Sequence, residues 1–268
     1  MTTQARDADM AQDVAEGPVL TQVVDGVLVV TINRPDARNA INTVTAEAIG
    51  AAMDRLDADP LLTAGIVTGA GGTFCAGMDL KAFLAGEKPS IPGRGFAGII
   101  EQPSAKPLIA AVEGYALAGG FEIALACDMI VAAENVKFGL PEVKRGLVAA
   151  GGGLMRLPQR VPYHLAMQWA LTGEMVSAQQ AHDVALVNRL TPVGGALEAA
   201  LELGRAIAAN GPLAVRATKQ VIVEAPGWSR EEMFERQRDI TLPVRSSEDA
   251  REGATAFKEK RAPRWQGR

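Results

Sequence analysis

The sequence predicts an α/β fold with mainly parallel strands. Short apolar runs recur at residues 65–68, 108–112 and 129–132, long enough for buried strands and too short for core helices. Glycine turns and helical segments separate and follow them, and strands that alternate with helices favour parallel pairing.

In chain order, residues 1–17 carry one Arg, several acids and no apolar segment, so they read as a disordered polar tail and not as a signal peptide or presequence. Residues 19–33 read as two strands hinged at Asp25-Gly26, a strong hairpin signal. Residues 41–57 read as a helix with Ile49, Ala52, Met53 and Leu56 on one face, stopped by Pro60. The strand at 65–68 opens into a glycine turn over 69–77. Residues 85–99 are rich in Gly and Pro and predict a mobile surface loop. The strand at 108–112 leads to Gly119-Gly120 and an apolar helix ending near Ala126. After Gly151 the chain reads as mostly helical, with capping-box patterns at Ser177/Gln180 and Ser229/Glu232. Amphipathic helices are expected at 197–209, 213–224 and 230–240, followed by a charged helix over 246–261 that carries Phe257. From Arg245 onward seven basic residues face four acidic ones, a local excess that suits either packing on another subunit or plain solvation.

Composition narrows the function. With 48% hydrophobic residues the chain has material for a sizeable core without disulfides or a structural metal. The 27 Lys and Arg residues fall short of the 31 Asp and Glu residues, which argues against nucleic acid as a partner. Two cysteines, Cys75 and Cys127, fit a reducing cytoplasmic setting, and two distant histidines give no zinc-ligand spacing. No apolar stretch is long enough to span a membrane.

Two glycine turns stand at strand-to-helix junctions, residues 69–81 and 114–122. Each leaves backbone N–H groups free at a helix N-terminus, and two together can supply paired donors for a developing oxyanion. Neither is a dinucleotide fingerprint: Phe74 stands where the third glycine of the motif belongs. No Gly-Lys-Ser/Thr phosphate loop and no G-x-S-x-G nucleophile elbow occurs. Glu122 opens an otherwise apolar helix, and Glu142 follows Pro141 before the Gly-rich bend at 151–153. Glu122 reads either as an acid favoured by the helix dipole or as a site carboxylate. Glu142 reads either as a surface residue near Lys144 and Arg145 or as the partner of Glu122 in an acid–base pair.

Several segments together resemble the enoyl-CoA hydratase/isomerase, or crotonase, superfamily. They are NRPDARNA at 33–40, FCAGMDLK at 74–81, ALAGGFE at 116–122, FGLPE at 138–142, LTGE at 171–174 and the run from Glu252 to Arg261. The resemblance covers nearly the whole chain from Val19. It implies a spiral of ββα repeats over residues 18–196, followed by a helical trimerisation region over 197–268, with homotrimers or homohexamers as the assembly. It implies an oxyanion hole from the backbone N–H groups of Met78 and Gly119. It implies CoA contacts at Ala37, Arg38, Ala76, Leu80 and Lys81, with Phe257 and Lys260 reaching the CoA of a neighbouring subunit. Glu122 and Glu142 fall where hydratases of the family carry their two glutamates. The implied reaction is addition of water across the 2,3-double bond of a 2-enoyl-CoA, giving a 3-hydroxyacyl-CoA, with CoA as part of the substrate and no separate cofactor or metal.

The chain departs from the family pattern at Ala149-Ala150, where hydratases often carry Pro-Gly. It also departs at Leu140, where many carry Gln, and at Met78, where Ala is common. These changes bear on the acyl group, which the sequence leaves open among short, branched, steroid and carnitine-like chains. Residues 85–99 and the surroundings of Trp228 are expected to shape that end. Two other readings stand beside hydration: isomerisation or another crotonase-type reaction of a CoA thioester with Glu142 as sole base, and a non-catalytic binding or scaffold role.

Overall fold

The computed structural model describes residues 17–268. The N-terminal tail expected at 1–17 therefore lies, but for Gly17, outside the described residues.

The chain enters as a hairpin of β1 (Val19–Val24) and β2 (Val27–Ile32), paired antiparallel with Val24 opposite Val27. Asp25 and Gly26 both take positive φ, 52° and 77°, the backbone that a two-residue hairpin turn needs. Helix α1 (Thr43–Ala58) starts on Asn42, whose Oδ1 accepts from the Thr45 N–H at 3.1 Å and the Thr45 hydroxyl at 2.6 Å. It ends two residues before Pro60, with Ile49, Met53 and Leu56 wholly buried.

Three successive turns of the chain then repeat one plan. A largely buried strand enters the large sheet, a short stretch enters a second layer, and a helical turn follows. The first turn runs from β3 (Ala64–Gly69) through Cys75 to α2 (Leu80–Leu84). A small hairpin, β4 (Ser90–Ile91) with β5 (Gly95–Phe96), separates it from the second. The second turn runs from β6 (Leu108–Val112) through β7 (Tyr115–Leu117) to α3 (Gly119–Ala126). The third runs from β8 (Met129–Ala133) through β9 (Lys137–Gly139) to a tight 3-10 turn at Pro141–Arg145.

In the large sheet the order is β1-β2-β3-β6-β8-β11, parallel throughout except for the first hairpin. Its central strands are buried on both faces, which explains their unbroken apolar runs. In the second layer Cys75 pairs in parallel with Ala116, and β7 pairs in parallel with β9. The spiral therefore stacks three equivalent exit points side by side: Gly77–Met78, Ala118–Gly119 and Leu140–Glu142. Phe121 and Phe138, with ring centroids 5.2 Å apart, lock α3 against β9.

The rest is helical apart from two short strands. Helices α4 (Gly153–Arg160) and α5 (Tyr163–Thr172) are followed by β10 (Val176–Ser177), which adds to β9, and by α6 (Ala178–Asp183). Ser177 and Gln180 form the expected capping box. After β11 (Arg189–Thr191), helix α7 (Ala196–Ala208) covers the face of the sheet away from α1, packing Ala196, Ala200 and Leu201 on Ile66, Ile109 and Val131. Helices α8 (Pro212–Glu224), α9 (Met233–Arg245) and α10 (Glu248–Glu259) complete the chain. Ser229 bonds Glu232 as expected, but α9 begins later, at Met233, and runs on through Pro243.

The segment at 85–99 is a surface loop only in part: Ala85, Gly86, Pro92 and Gly93 are exposed, while the stretch after the β4–β5 hairpin turns inward and Ala97 and Ile99 are fully buried. Two of its four glycines permit close packing, since a Cβ on Gly98 would run into the Ala46 carbonyl and one on Gly95 into the Glu101 side chain, whereas Gly86 and Gly93 stand in open space. Among the described residues no helix is long and apolar enough to cross a membrane.

Candidate active site

All three exit points open into one cleft of about 1380 Å³. Backbone pairing brings the first two together. Cys75 N–H donates to Tyr115 O at 2.9 Å, and Leu117 N–H donates to Cys75 O at 3.0 Å. The two turns then run so close that a Cβ on Gly77 would stand 3.2 Å from the Gly119 nitrogen. Ala118 holds φ 52° and ψ −128°, a conformation that costs roughly 1–3 kcal/mol and is tied down by its N–H bond to Gly139 O at 2.9 Å. A side chain at Gly119 would collide with the Phe96 ring. The N–H groups of Met78 and Gly119 both border the cleft, and neither donates to a protein acceptor among the described residues.

Glu122 sits in the first turn of α3 and is only 4% exposed. Its Oε1 accepts the Gly153 N–H at 3.0 Å, and a side chain at Gly151 would strike its carboxylate. Burial pushes its pKa up, while the amides of Gly153 and Gly151 and the charge of Arg156 pull against that rise. Glu142, in the Pro141–Arg145 turn, faces the same cleft. Its pKa is also raised, first by burial and further by the charge of Glu122, against its own backbone N–H and Arg145. Its Oε2 is buried without a hydrogen-bond partner. The two carboxylates thus feel each other across one space.

The rim toward α2 gathers Ala37, Arg38, Ala76, Leu80 and Lys81 along the same cleft. Arg38 takes a positive φ of 51°, and its carbonyl accepts the Ala76 N–H at 3.0 Å, which fixes the rim. Asn39, wholly buried, ties this loop to the first glycine turn through bonds from Nδ2 to Ala70 O at 2.8 Å and Thr73 O at 2.6 Å. Arg34 pairs with Asp79 at 2.9 Å, and Asp79 caps α2. Burial pushes the Asp79 carboxyl up, but Arg34 and the amides of Ala82 and Lys81 outweigh it and hold it below its usual range.

Nine of the expected site residues therefore meet in one cleft. Phe257 and Lys260 do not: they lie on α10 and its cap, outside the cleft of this chain, and Phe257 is 89% exposed. Trp228 does not line the cleft either, contrary to expectation. The cleft is also lined by Ser90, Phe96, Ile100, Leu147, Val148 and Met155. Ser90 and Phe96 come from the 85–99 segment that was expected here, whereas sequence reasoning passed over Ile100 and Arg156. Only Arg156 carried a signal, being a cation in the first turn of a helix, where the dipole disfavours it. Cys75 and Cys127 are free, buried thiols with pKa pushed up to about 12 by burial, which makes them poor nucleophiles. Among the described residues no group of three His, Cys, Asp or Glu side chains gathers to hold a metal.

The family model described as enoyl-CoA hydratase/isomerase matches residues 22–268. This chain belongs to that family. It is 46% identical over 252 residues to the enoyl-CoA hydratase EchA19 of Mycobacterium tuberculosis, covering 90% of this chain and 93% of that protein. It is 42% identical over 250 residues to the carnitinyl-CoA dehydratase of Proteus mirabilis, covering 90% and 95% respectively. The crystal structure of enoyl-CoA hydratase EchA1 from Mycobacterium marinum superposes with a TM-score of 0.93 at 58% identity, covering 94% of this chain and all of that one. The spiral of ββα turns described above is this family's fold.

Proposed function

We propose that this chain is an enoyl-CoA hydratase, a hydro-lyase that adds water reversibly across the 2,3-double bond of a 2-enoyl-CoA. The observation that carries the reading is a single cleft holding two facing carboxylates beside two backbone N–H groups free of protein acceptors. The names carried by the similar proteins above support the same reaction and the CoA-thioester substrate.

The thioester oxygen lies between the Met78 and Gly119 N–H groups, which stabilise the enolate as negative charge moves onto it. Loss of one such donor typically costs about 10²–10³ in rate. Glu122, held by the 151–153 turn, orients and activates water for attack at Cβ. Glu142 serves the proton at Cα; its unpartnered oxygen leaves a lone pair free to carry that proton. The water oxygen bonds to Cβ as the C=C π bond breaks, and Glu122 takes the proton that water loses. Protonated Glu142 gives its proton to Cα, and proton transfer from Glu122 to Glu142 resets the pair. Ala37, Arg38, Ala76, Leu80 and Lys81 are assigned to CoA, with the cations of Arg38 and Lys81 suited to its phosphates.

The helical region from residue 197 is assigned to assembly as a homotrimer or homohexamer, in which Phe257 and Lys260 reach the CoA of a neighbour. Exposure of the Phe257 ring on α10 supports this assignment. Two reduced, buried thiols suit a cytoplasmic location.

The test is loss of the ultraviolet absorbance of the conjugated enoyl thioester when the purified protein meets crotonyl-CoA, then longer, branched and steroid-derived enoyl-CoAs. Formation of the 3-hydroxyacyl-CoA on any of them is the expected outcome. CoA-ester binding without hydration of any member of the panel would reject the reading.

A further inference from the structure

Arg156 holds a position in the cleft that runs against local electrostatics. It stands in the first turn of α4, where the helix dipole disfavours a cation. What it touches offsets that cost. Its Nη2 donates to the Ile100 carbonyl at 2.6 Å, and its Nη1 reaches the Gly151 carbonyl at 3.5 Å. The guanidinium crosses the glycine bend so closely that a Cβ on Gly152 would collide with Nη1. The same bend presents the Gly153 N–H to Glu122 Oε1 at 3.0 Å. One planar group thus joins three parts of the cleft: the end of the 85–100 segment, the glycine bend, and the carboxylate that the bend holds.

We propose that Arg156 is a positioning residue, which braces the 151–153 bend against the Ile100 carbonyl and sets its fixed charge beside Glu122. The proposal deepens the hydratase reading and rests on it for the role of Glu122. Ile100 also lines the cleft, so the brace couples that part of its wall to the water-orienting carboxylate. A lysine keeps the charge but lacks the fork that spans two carbonyls.

The charged and titratable groups around this pair are few. Glu142 faces Glu122 from the 141–145 turn, and Arg156 faces it from α4. Behind Arg156 stand Arg160 on α4 and the neutral thiol of Cys127 after α3. Removing the Arg156 charge leaves only the Gly153 and Gly151 amides to oppose burial at Glu122, so its ionisation moves to higher pH.

Carboxyl-carbon NMR of the full chain, labelled at glutamate, reads this directly, with Glu122→Gln assigning the resonance. In Arg156→Met the Glu122 titration is expected at higher pH than in the parent, whereas in Arg156→Lys it stays near the parent's. Turnover of crotonyl-CoA is expected to fall on the order of 10²-fold in Arg156→Met, as for a misplaced catalytic group, with KM nearly unchanged. Arg156→Lys should lie between, its charge kept and its brace lost. Should Arg156→Met not fold, the lysine variant alone decides, because an unchanged kcat overturns the brace. An unmoved Glu122 titration in Arg156→Met overturns the charge role. If the parent hydrates no enoyl-CoA, the hydratase reading falls, while the titration still decides what Arg156 does to Glu122.

Discussion

Glu122 and Glu142 enter one cleft on opposite kinds of support. Glu122 stands at the mouth of a buried helix, with an amide at 3.0 Å on one oxygen, glycine backbone against its carboxylate and Arg156 alongside. Glu142 stands on a five-residue 3-10 turn, with one oxygen buried and unpartnered. The first carboxylate is fixed and electrostatically steadied; the second is left short of hydrogen bonds. A fixed carboxylate is suited to hold water in one place. An under-bonded one is suited to take and return a proton. The contrast assigns roles that residue type alone leaves equal.

Breaking the under-bonded side carries the largest expected effect. Glu142→Gln removes the proton carrier while keeping the shape, and kcat for crotonyl-CoA hydration should fall by about 10²–10⁴-fold. Binding of the CoA ester, read by calorimetry, should stay nearly intact. Wild-type turnover in this variant would show that the two-carboxylate assignment is wrong.

Disturbing the supported side should cost somewhat less. Gly151→Ala drives a methyl group into the Glu122 carboxylate, whereas Gly146→Ala meets no neighbouring atom. The first variant should lose on the order of 10² in kcat, as expected for a displaced catalytic group. The second should keep most of its turnover and lose only some stability, because Gly146 carries a positive φ of 67°. Equal losses in the two would mean that the bend matters only as a fold element.

How much of this was legible before the structure differs between the two carboxylates. The strand runs, the Asp25-Gly26 hairpin and the position of α1 were legible because each rests on local turn chemistry and buried periodicity. The nine cleft residues were legible by resemblance, since three motifs occupy equivalent points of the spiral. The brace at Arg156 was not legible as a contact, because Ile100 comes to it from far along the chain and both it and Gly151 contribute backbone carbonyls that any residue would supply. The buried end of the 85–99 segment escapes sequence reading for a related reason. Glycine marks both mobility and close packing, and only the neighbours at Gly95 and Gly98 decide between them.

Acid sharpens the comparison thermodynamically. Burial raises both glutamates above the unfolded value of roughly 4.3. As pH falls, the folded chain therefore takes up these protons before the unfolded chain does, and across that interval the pair contributes rising stability. The same fall removes the ionised base, so turnover drops where this contribution grows. Glu142→Gln relieves the buried charge without breaking a bond to Oε2. At neutral pH its Tm should rise by roughly 2–4 °C, the shift that about 1 kcal/mol gives in a chain of this size. Glu122→Gln forfeits the charge on its amide bond and should gain less. Scanning calorimetry of both at neutral and mildly acid pH checks the order, and a lower Tm for Glu142→Gln would contradict the under-bonded reading.

The smallest effect is expected far from both carboxylates, on α10. Phe257 is 89% exposed while its neighbour Ala256 is 2% exposed, so the helix docks by one face and offers a large apolar ring on the other. Truncating an exposed ring removes almost no packing within the chain, and the Tm of dissociated Phe257→Ala subunits should barely move. If the ring closes over the CoA of a neighbouring subunit, its loss removes part of the roughly 1.5–3 kcal/mol that a fully buried aromatic side chain contributes. KM for crotonyl-CoA should then rise several-fold with kcat nearly constant, the reverse of the pattern at Glu142. Unchanged KM together with unchanged sedimentation would leave Phe257 as a solvated residue and confine the site to one chain. A rise in KM that disappears when the protein is diluted to single subunits would place the missing wall of the cleft on the neighbour.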